Sequence, residues 1–137
     1  MMFTDPELDY LASQRLGRLA TVQPDGTLQV SPVGYRYNAE LATIDIGGFA
    51  MSASRKFRNV AADNRVAFVI DDVVSTSPWR VRCLEIRGSA DAVQDPDVAP
   101  GQDDSVIRIR PRRIISFGID EPDQEPHLLT ANNRDVR

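Results

Sequence analysis

Leu19-Ala20-Thr21-Val22-Gln23-Pro24-Asp25-Gly26-Thr27-Leu28-Gln29-Val30 is the stretch on which the fold turns. Two strand-like runs, 19–22 and 27–30, flank the turn signal Pro24-Asp25-Gly26, a pattern that predicts a β-hairpin. The second run continues toward Val33, Tyr35 and Tyr37, and Pro32 within it marks an edge or a bulge, because proline has no N–H to give to a ladder.

Toward the N-terminus, Thr4 with Glu7 three residues later forms a capping box, with Pro6 early in the turn where a missing N–H costs little. Phe3 and Leu8 are spaced as a hydrophobic staple, and Leu8, Leu11 and Ala12 recur at helical spacing. The expectation is a short amphipathic helix ended by Gly17. Toward the C-terminus, Leu41–Ile46 reads as a strand stopped by Gly47-Gly48, and Ser54–Ala61 as a helix with Phe57, Val60 and Ala61 on one face. Val66–Ile70 is an apolar run of strand length. Leu84, Ile86, Gly88, Ala90 and Ala92 alternate with polar residues, which is strand periodicity, and the small side chains of Gly88, Ala90 and Ala92 suit a tight barrel interior or a close sheet contact. Residues 95–104 read as an acidic Pro/Gly loop, and Val106–Ile119 as a last strand region interrupted by Pro111. From Glu121 onward the chain is polar and is expected to be loosely ordered.

Six or so strands, two short helices and short connections predict a mainly β fold with short α segments: an antiparallel barrel with helices at its openings. A parallel sheet would need crossovers of about a dozen residues or more. The expected organisation is one barrel domain over residues 1–120 and a polar tail over 121–137. At 137 residues, 42% hydrophobic and 26% charged, the chain has the composition of a globular protein that needs no disulfide or metal staple. Its net charge of -4 gives no general attraction for nucleic acid or an anionic membrane. One cysteine, an acidic N-terminus and no long apolar run predict a cytoplasmic protein without a membrane span.

Few side chains suit catalysis by themselves. His127 is the only histidine and lies in the expected tail, which argues against a His-based triad or multi-histidine metal site. Cys83 reads as a semi-buried strand residue, and Asp71-Asp72 and Asp103-Asp104 as turn and solvation residues. Any reactive group is therefore expected to be borrowed from a cofactor. Ser52, Ser54, Arg55, Lys56, Arg58 and Asn59 gather hydroxyls and cations at a helix start, where free N–H groups and the dipole favour a phosphate. A capped helix with solvated basic residues accounts for the same spacing. Arg108, Arg110, Arg112 and Arg113 look like an exposed strand face. Trp79-Arg80 suits either a plate over a flat ligand or core packing.

The series LGRLATV, PDG and PVGYRYN, then IDIGG, SRKFRNV, RVAFVIDDV, PWR, EIRGSA and PRRIISFGID resembles the pyridoxamine-phosphate-oxidase-like split-barrel superfamily. Within it, the chain is similar to the actinobacterial branch of deazaflavin (coenzyme F420)-dependent reductases, from about Phe3 to Asp120. The resemblance implies a homodimer with two cofactor sites, each built from both chains. It assigns Arg55, Lys56 and Asn59, with Ser54 nearby, to the cofactor phosphate. It places the backbone of Ser31, Pro32 and Val33 against the ring system and Gly47 and Gly48 beside the phosphate arm. Trp79 and Arg80 match the segment that closes over the site. Phe117 stands where that branch often has tryptophan, which bears on substrate orientation.

The leading expectation is a coenzyme F420-dependent oxidoreductase that passes a hydride to an electron-poor double bond of a small organic substrate. Tyr35 and Tyr37 are candidate proton donors, with packing as their other reading. The alternatives are an FMN-dependent oxidase or reductase of the same fold, and a protein that binds a flavin or deazaflavin without turnover. Haem is disfavoured, since no histidine of the expected barrel offers an axial ligand.

Overall fold

The computed structural model describes residues 2–98, 103–121 and 123–136; residues 99–102 of the acidic loop and 122 and 137 of the tail lie outside that description. The hairpin of residues 19–30 is present. Strands β1 (Leu16–Val22) and β2 (Leu28–Gly34) pair antiparallel from Val22↔Leu28 to Leu16↔Gly34. Asp25 fastens the turn by accepting from the Thr27 backbone N–H at 3.0 Å and its hydroxyl at 2.6 Å.

The other strands are β3 (Arg36–Asn38), β4 (Thr43–Ile46), β5 (Arg65–Thr76), β6 (Trp79–Gln94), β7 (Ser105–Phe117) and β8 (Asn132–Asp135). They form one eight-stranded sheet in the order β2-β1-β5-β6-β7-β4-β3, with β8 also on β7. Every ladder is antiparallel, and β7 shares one edge between β4, at residues 107–109, and β8, at 113–116. This is a mainly antiparallel split β-barrel with two short α-helices, α1 (Asp5–Ser13) and α2 (Arg55–Ala62). Period-two alternation turns Leu19, Phe68, Ile70, Leu84 and Ile86 inward, where they are fully buried. Phe3, Tyr10 and Leu11 beside and on α1, and Val60 on α2, complete one core.

Three details depart from the sequence reading. Helix α1 has its capping box, but it stops at Ser13. Gly17 lies inside β1, where a Cβ would sit 2.3 Å from the Phe68 ring, so the glycine makes room for the core. Pro111 does not interrupt β7. The β6–β7 register shifts between Arg87 and Gly88, leaving Pro111 opposite Gly88, and the bulge absorbs the missing donor. A Cβ at Gly88 would lie 2.1 Å from the Arg110 carbonyl oxygen.

The tail is polar, as expected, but residues 132–136 are not loose. Arg134 of β8 donates from both Nη atoms to the carboxylate of Glu7, which is 1% exposed. Ser116 Oγ donates to the same carboxylate at 2.6 Å, and the Val136 N–H reaches the Arg112 carbonyl at 2.6 Å. A buried carboxylate that needs a cation orders this segment.

The outer face of β2, β1 and β5 carries an apolar patch beside the charges of Arg18, Asp71 and Glu85. Leu28 and Val30 are 73% and 68% exposed, and Val30 shares a shallow depression with Ala20, Ala67 and Val69. The far end of the β5–β6 hairpin carries further exposed apolar groups, Val73, Val74 and Trp79.

Candidate functional site

Helix α2 starts at Ser54, whose hydroxyl accepts from the Phe57 N–H at 3.3 Å and donates to the Met51 carbonyl at 2.7 Å. The chain reaches Ser54 through a 3-10 turn, Met51–Ala53, entered by Ala50 in the left-handed region at φ 57°. These two bonds lock the turn to the first turn of the helix. The result is a cleft of about 260 Å³. Pro32, Val33 and Gly34 contribute from the end of β2, Gly47, Gly48 and Phe49 from the segment after β4, and Met51, Ser54 and Lys56 from the turn and helix.

The fold thus brings together six residues singled out from the sequence: Pro32, Val33, Gly47, Gly48, Ser54 and Lys56. Ser31 is the inward-facing neighbour of Pro32, and its buried hydroxyl oxygen has no hydrogen-bond partner. Arg55 is exposed at the start of α2 and does not line the cleft. Asn59 is buried and faces the sheet, its amide donating to Thr21 Oγ1 and Gln29 Oε1, both at 3.1 Å. It ties α2 to β1 and β2. Trp79 and Arg80 lie on the β5–β6 hairpin and line no part of this cleft. Trp79 is 50% exposed, so core packing is not its role. The Arg80 Nη1 donates to the Trp79 carbonyl, while its buried Nε has no hydrogen-bond partner.

Gly34, Phe49 and Met51 also line the cleft and were not singled out from the sequence. Phe49 directly follows the Gly47-Gly48 pair, a signal that was available; nothing local marks Met51.

Electrostatically, the α2 end stands apart. Among the described residues Arg55, Lys56 and Arg58 make no ion pair, whereas most other arginines are committed. Arg82 pairs with Asp72 at 2.7 Å over the Tyr10 ring, and Arg108 bridges Asp45 and Asp95. Arg110 and Arg113 likewise pair with Asp91 and Asp135.

The remaining chemical candidates are occupied or quiet. The Tyr35 hydroxyl is held by the Leu11 and Gln14 carbonyls at 2.7 and 3.0 Å, and burial pushes it up to about 12. Tyr37 packs edge-on to Phe3. Burial, then the charges of Asp71 and Glu85, push the Cys83 thiol up to about 11, far from a reactive thiolate. Among the described residues no group of three or more His, Cys, Asp and Glu is placed to hold a metal ion, and no helix is long and apolar enough to cross a membrane.

The cleft fits the phosphate-bearing end of a flavin-type cofactor. It joins a cation without a counter-charge to bare backbone. A Cβ on Gly34 would meet nothing nearer than 4.0 Å, and one on Gly48 nothing nearer than 3.5 Å, so internal packing does not demand glycine at either place. Glycine there leaves the main chain open to a bound group.

Comparison with known proteins places the fold in one family. The family model for pyridoxamine 5'-phosphate oxidase matches residues 3–120. The chain is 46% identical over 122 residues to a 5a,11a-dehydrotetracycline/5a,11a-dehydrooxytetracycline reductase of Streptomyces rimosus, covering 88% of this chain and 86% of the relative. A solved structure of an F420 reductase superposes with a TM-score of 0.55 at 28% identity, over 75% of this chain and 91% of that one. A conserved hypothetical protein of Mycobacterium tuberculosis shares the fold, with a TM-score of 0.66 at 24% identity over 83% and 84% of the two chains.

Proposed function

The chain belongs to the pyridoxamine 5'-phosphate oxidase family, and from that premise we propose that it is a coenzyme F420-dependent reductase acting on a small organic substrate. The observation that carries this reading is Lys56, which has no acidic partner among the described residues, set beside Ser54 in a cleft walled by bare glycine backbone. A bound reduced deazaflavin would supply one thing, a hydride donor for an electron-poor double bond. The reductase name of the Streptomyces rimosus relative, which specifies dehydrotetracyclines, supports an acceptor of that kind.

The chain's own residues bind and orient. Lys56 holds the phosphate at the head of α2, where the helix dipole adds to the attraction, and Ser54, its hydroxyl bonded to Met51 and Phe57, fixes the start of that helix. Arg55 and Arg58, exposed on the same helix, extend the positive field outward for the further carboxylates of a deazaflavin tail. Pro32, Val33 and the neighbouring Ser31 offer β2 to the ring system, and Gly47 and Gly48 let the phosphate arm approach the main chain. Asn59 keeps α2 in place through Thr21 and Gln29. Lys56 is the only titratable side chain lining the cleft among the described residues, and Tyr35 is engaged elsewhere, so protonation of the acceptor falls to solvent.

One chain supplies only part of the site. Its cleft of about 260 Å³ is below the range of roughly 300–1,000 Å³ typical of small-molecule sites. The apolar patch on the outer face of β2, β1 and β5 supports a two-fold homodimer, in which Trp79 and Arg80 of the β5–β6 hairpin close over the partner's cleft. The lone Cys83, half-buried and unpaired, accords with a reducing cytoplasm.

FMN is the second reading, because a single phosphate needs only one or two cations, and Lys56 at the head of α2 supplies one. Paired fluorescence titrations with coenzyme F420 and FMN, at low and high ionic strength, separate the two. F420 is expected to bind more tightly and to lose affinity more steeply with salt. Tighter FMN binding without the steeper F420 salt dependence would favour FMN, and binding of neither would remove the cofactor reading. The variant Lys56→Ala should weaken cofactor binding by about 1.5–3 kcal/mol, the worth of a hydrogen bond to a charged group. Its stability should move by no more than about half a kcal/mol.

A further inference from the structure

We propose that Asp103 is a positioning residue for the anion-binding cleft: it anchors the 3-10 turn that presents Ser54 and Lys56, although it touches no cofactor itself. This rests on the cleft being the phosphate site proposed above. Asp103 lies just before β7, about fifty residues along the chain from the turn. Its Oδ2 accepts both the Ser52 N–H at 2.8 Å and the Ser52 hydroxyl at 2.9 Å, while Oδ1 accepts the Ser105 N–H at 3.0 Å. Ser105 opens β7 and is buried, so this carboxylate ties the turn to the barrel wall.

The turn has few other fasteners. Among the described residues its remaining polar bonds are local ones, from Ala53 N to the Ala50 carbonyl at 3.2 Å, from Ser54 N and Oγ to the Met51 carbonyl and from Ser54 Oγ to the Met51 sulfur. Ala50 enters it in the left-handed region, which costs a non-glycine residue energy and needs support from outside the turn. Met51, buried and lining the cleft, is the apolar anchor on the same three residues. Without Asp103 the turn keeps Met51 but loses its long-range polar tie, and the Ser54 hydroxyl and Lys56 lose their fixed starting point. The bonds from Ser52 and Ser105 hold the Asp103 carboxyl down at about 2, so it is ionised at every working pH.

That charge makes the role testable by sign. An anion beside an anion-binding cleft weakens binding by repulsion, so a residue acting by charge alone improves binding when neutralised. A positioning residue does the reverse when its acceptor is removed. Asp103→Ala and Asp103→Asn are to be compared with the unsubstituted protein and Lys56→Ala, titrating FMN and coenzyme F420 by fluorescence. Amide hydrogen exchange across 51–57 is to be followed in the cofactor-free protein.

Asp103→Ala is expected to bind about five- to tenfold more weakly and to exchange faster at Ser54 and Phe57. Asp103→Asn keeps one carbonyl acceptor, enough for Ser52 or for Ser105 but not for both, and is expected to bind between Asp103→Ala and the unsubstituted protein. Equal or tighter binding in both variants, with unchanged exchange, would overturn the positioning role while a weakened Lys56→Ala keeps the cleft. Unchanged binding in Lys56→Ala would overturn the cleft reading, and the role of Asp103 with it.

Discussion

Replacing Arg134 with Met removes the cation from a carboxylate that has almost no access to water. Glu7 is 1% exposed and its two oxygens accept four donors: the Thr4 N–H at 2.9 Å, Ser116 Oγ at 2.6 Å and both Nη atoms of Arg134. Breaking a buried ion pair from one side costs about 3–5 kcal/mol, because the remaining charge is stranded. Two of the four donors survive here, and the Arg134 side chain is 25% exposed, so water reaches part of the vacated space. The expected loss is therefore below that range, about 2–3 kcal/mol, measured by urea denaturation at fixed protein concentration.

The sign with pH is equally specific. Burial alone raises the Glu7 carboxyl, but hydrogen bonds from Arg134, Ser116 and the Thr4 N–H together hold it below its ordinary value of 4.5. A depressed carboxyl contributes stability above the unfolded value and loses it as pH falls through the folded value. In Arg134→Met burial prevails, the folded value moves above the unfolded one, and the variant gains relative stability as Glu7 takes up a proton. The deficit should therefore shrink between pH 7 and pH 4. A loss under about 1 kcal/mol at pH 7, or the same deficit at both pH values, would refute the reasoning.

Gly88→Ala puts a Cβ 2.1 Å from the Arg110 carbonyl oxygen on the facing strand, where only backbone movement relieves the clash. It should cost about 3 kcal/mol or more in the same denaturation assay. Val30→Lys places a charge in the exposed apolar face and should shift the species seen by sedimentation from dimer to monomer, whereas Leu128→Lys, exposed on the tail, should leave assembly unchanged. Cys83, pushed up to about 11, should react with a thiol reagent at pH 8 far more slowly than in the urea-unfolded chain, and rates within about threefold of each other would contradict its burial.

What the sequence disclosed depended on how far each residue reaches. The Thr4–Glu7 capping box, the turn at Asp25 and the Ser54 cap are contacts within three residues, and all three form. Glu7 was legible as a cap but not as half of a buried ion pair, because its arginine lies 127 residues away. Gly17 looked like a helix stop because its reason, the Phe68 ring, sits on another strand. Pro111 looked like a break because the bulge opposite Gly88 is a property of the pair. Arg82 carries no local sign of its partner, because Asp72 faces it from the neighbouring strand. The cleft was half legible for the same reason. Ser54 and Lys56 carry a local cap-and-cation signal, and Gly47-Gly48 a local backbone one. That Gly34, Phe49 and Met51 meet them depends on how the end of β2 lies against the segment after β4.

The two carboxylates sealed most completely in the core, Glu7 and Asp45, both belong to the first half of the chain, and their arginines, Arg134 and Arg108, both belong to the second. As the chain leaves the ribosome, α1 and β4 carry acids that cannot be dehydrated until their bases emerge. Neither can dock early at low cost. The β1–β2 hairpin needs no such partner and is free to form at once, while closure of the barrel waits for β7 and then β8. The placement of charge along the chain thus leaves both buried acids of the first half to be neutralised by bases from the second.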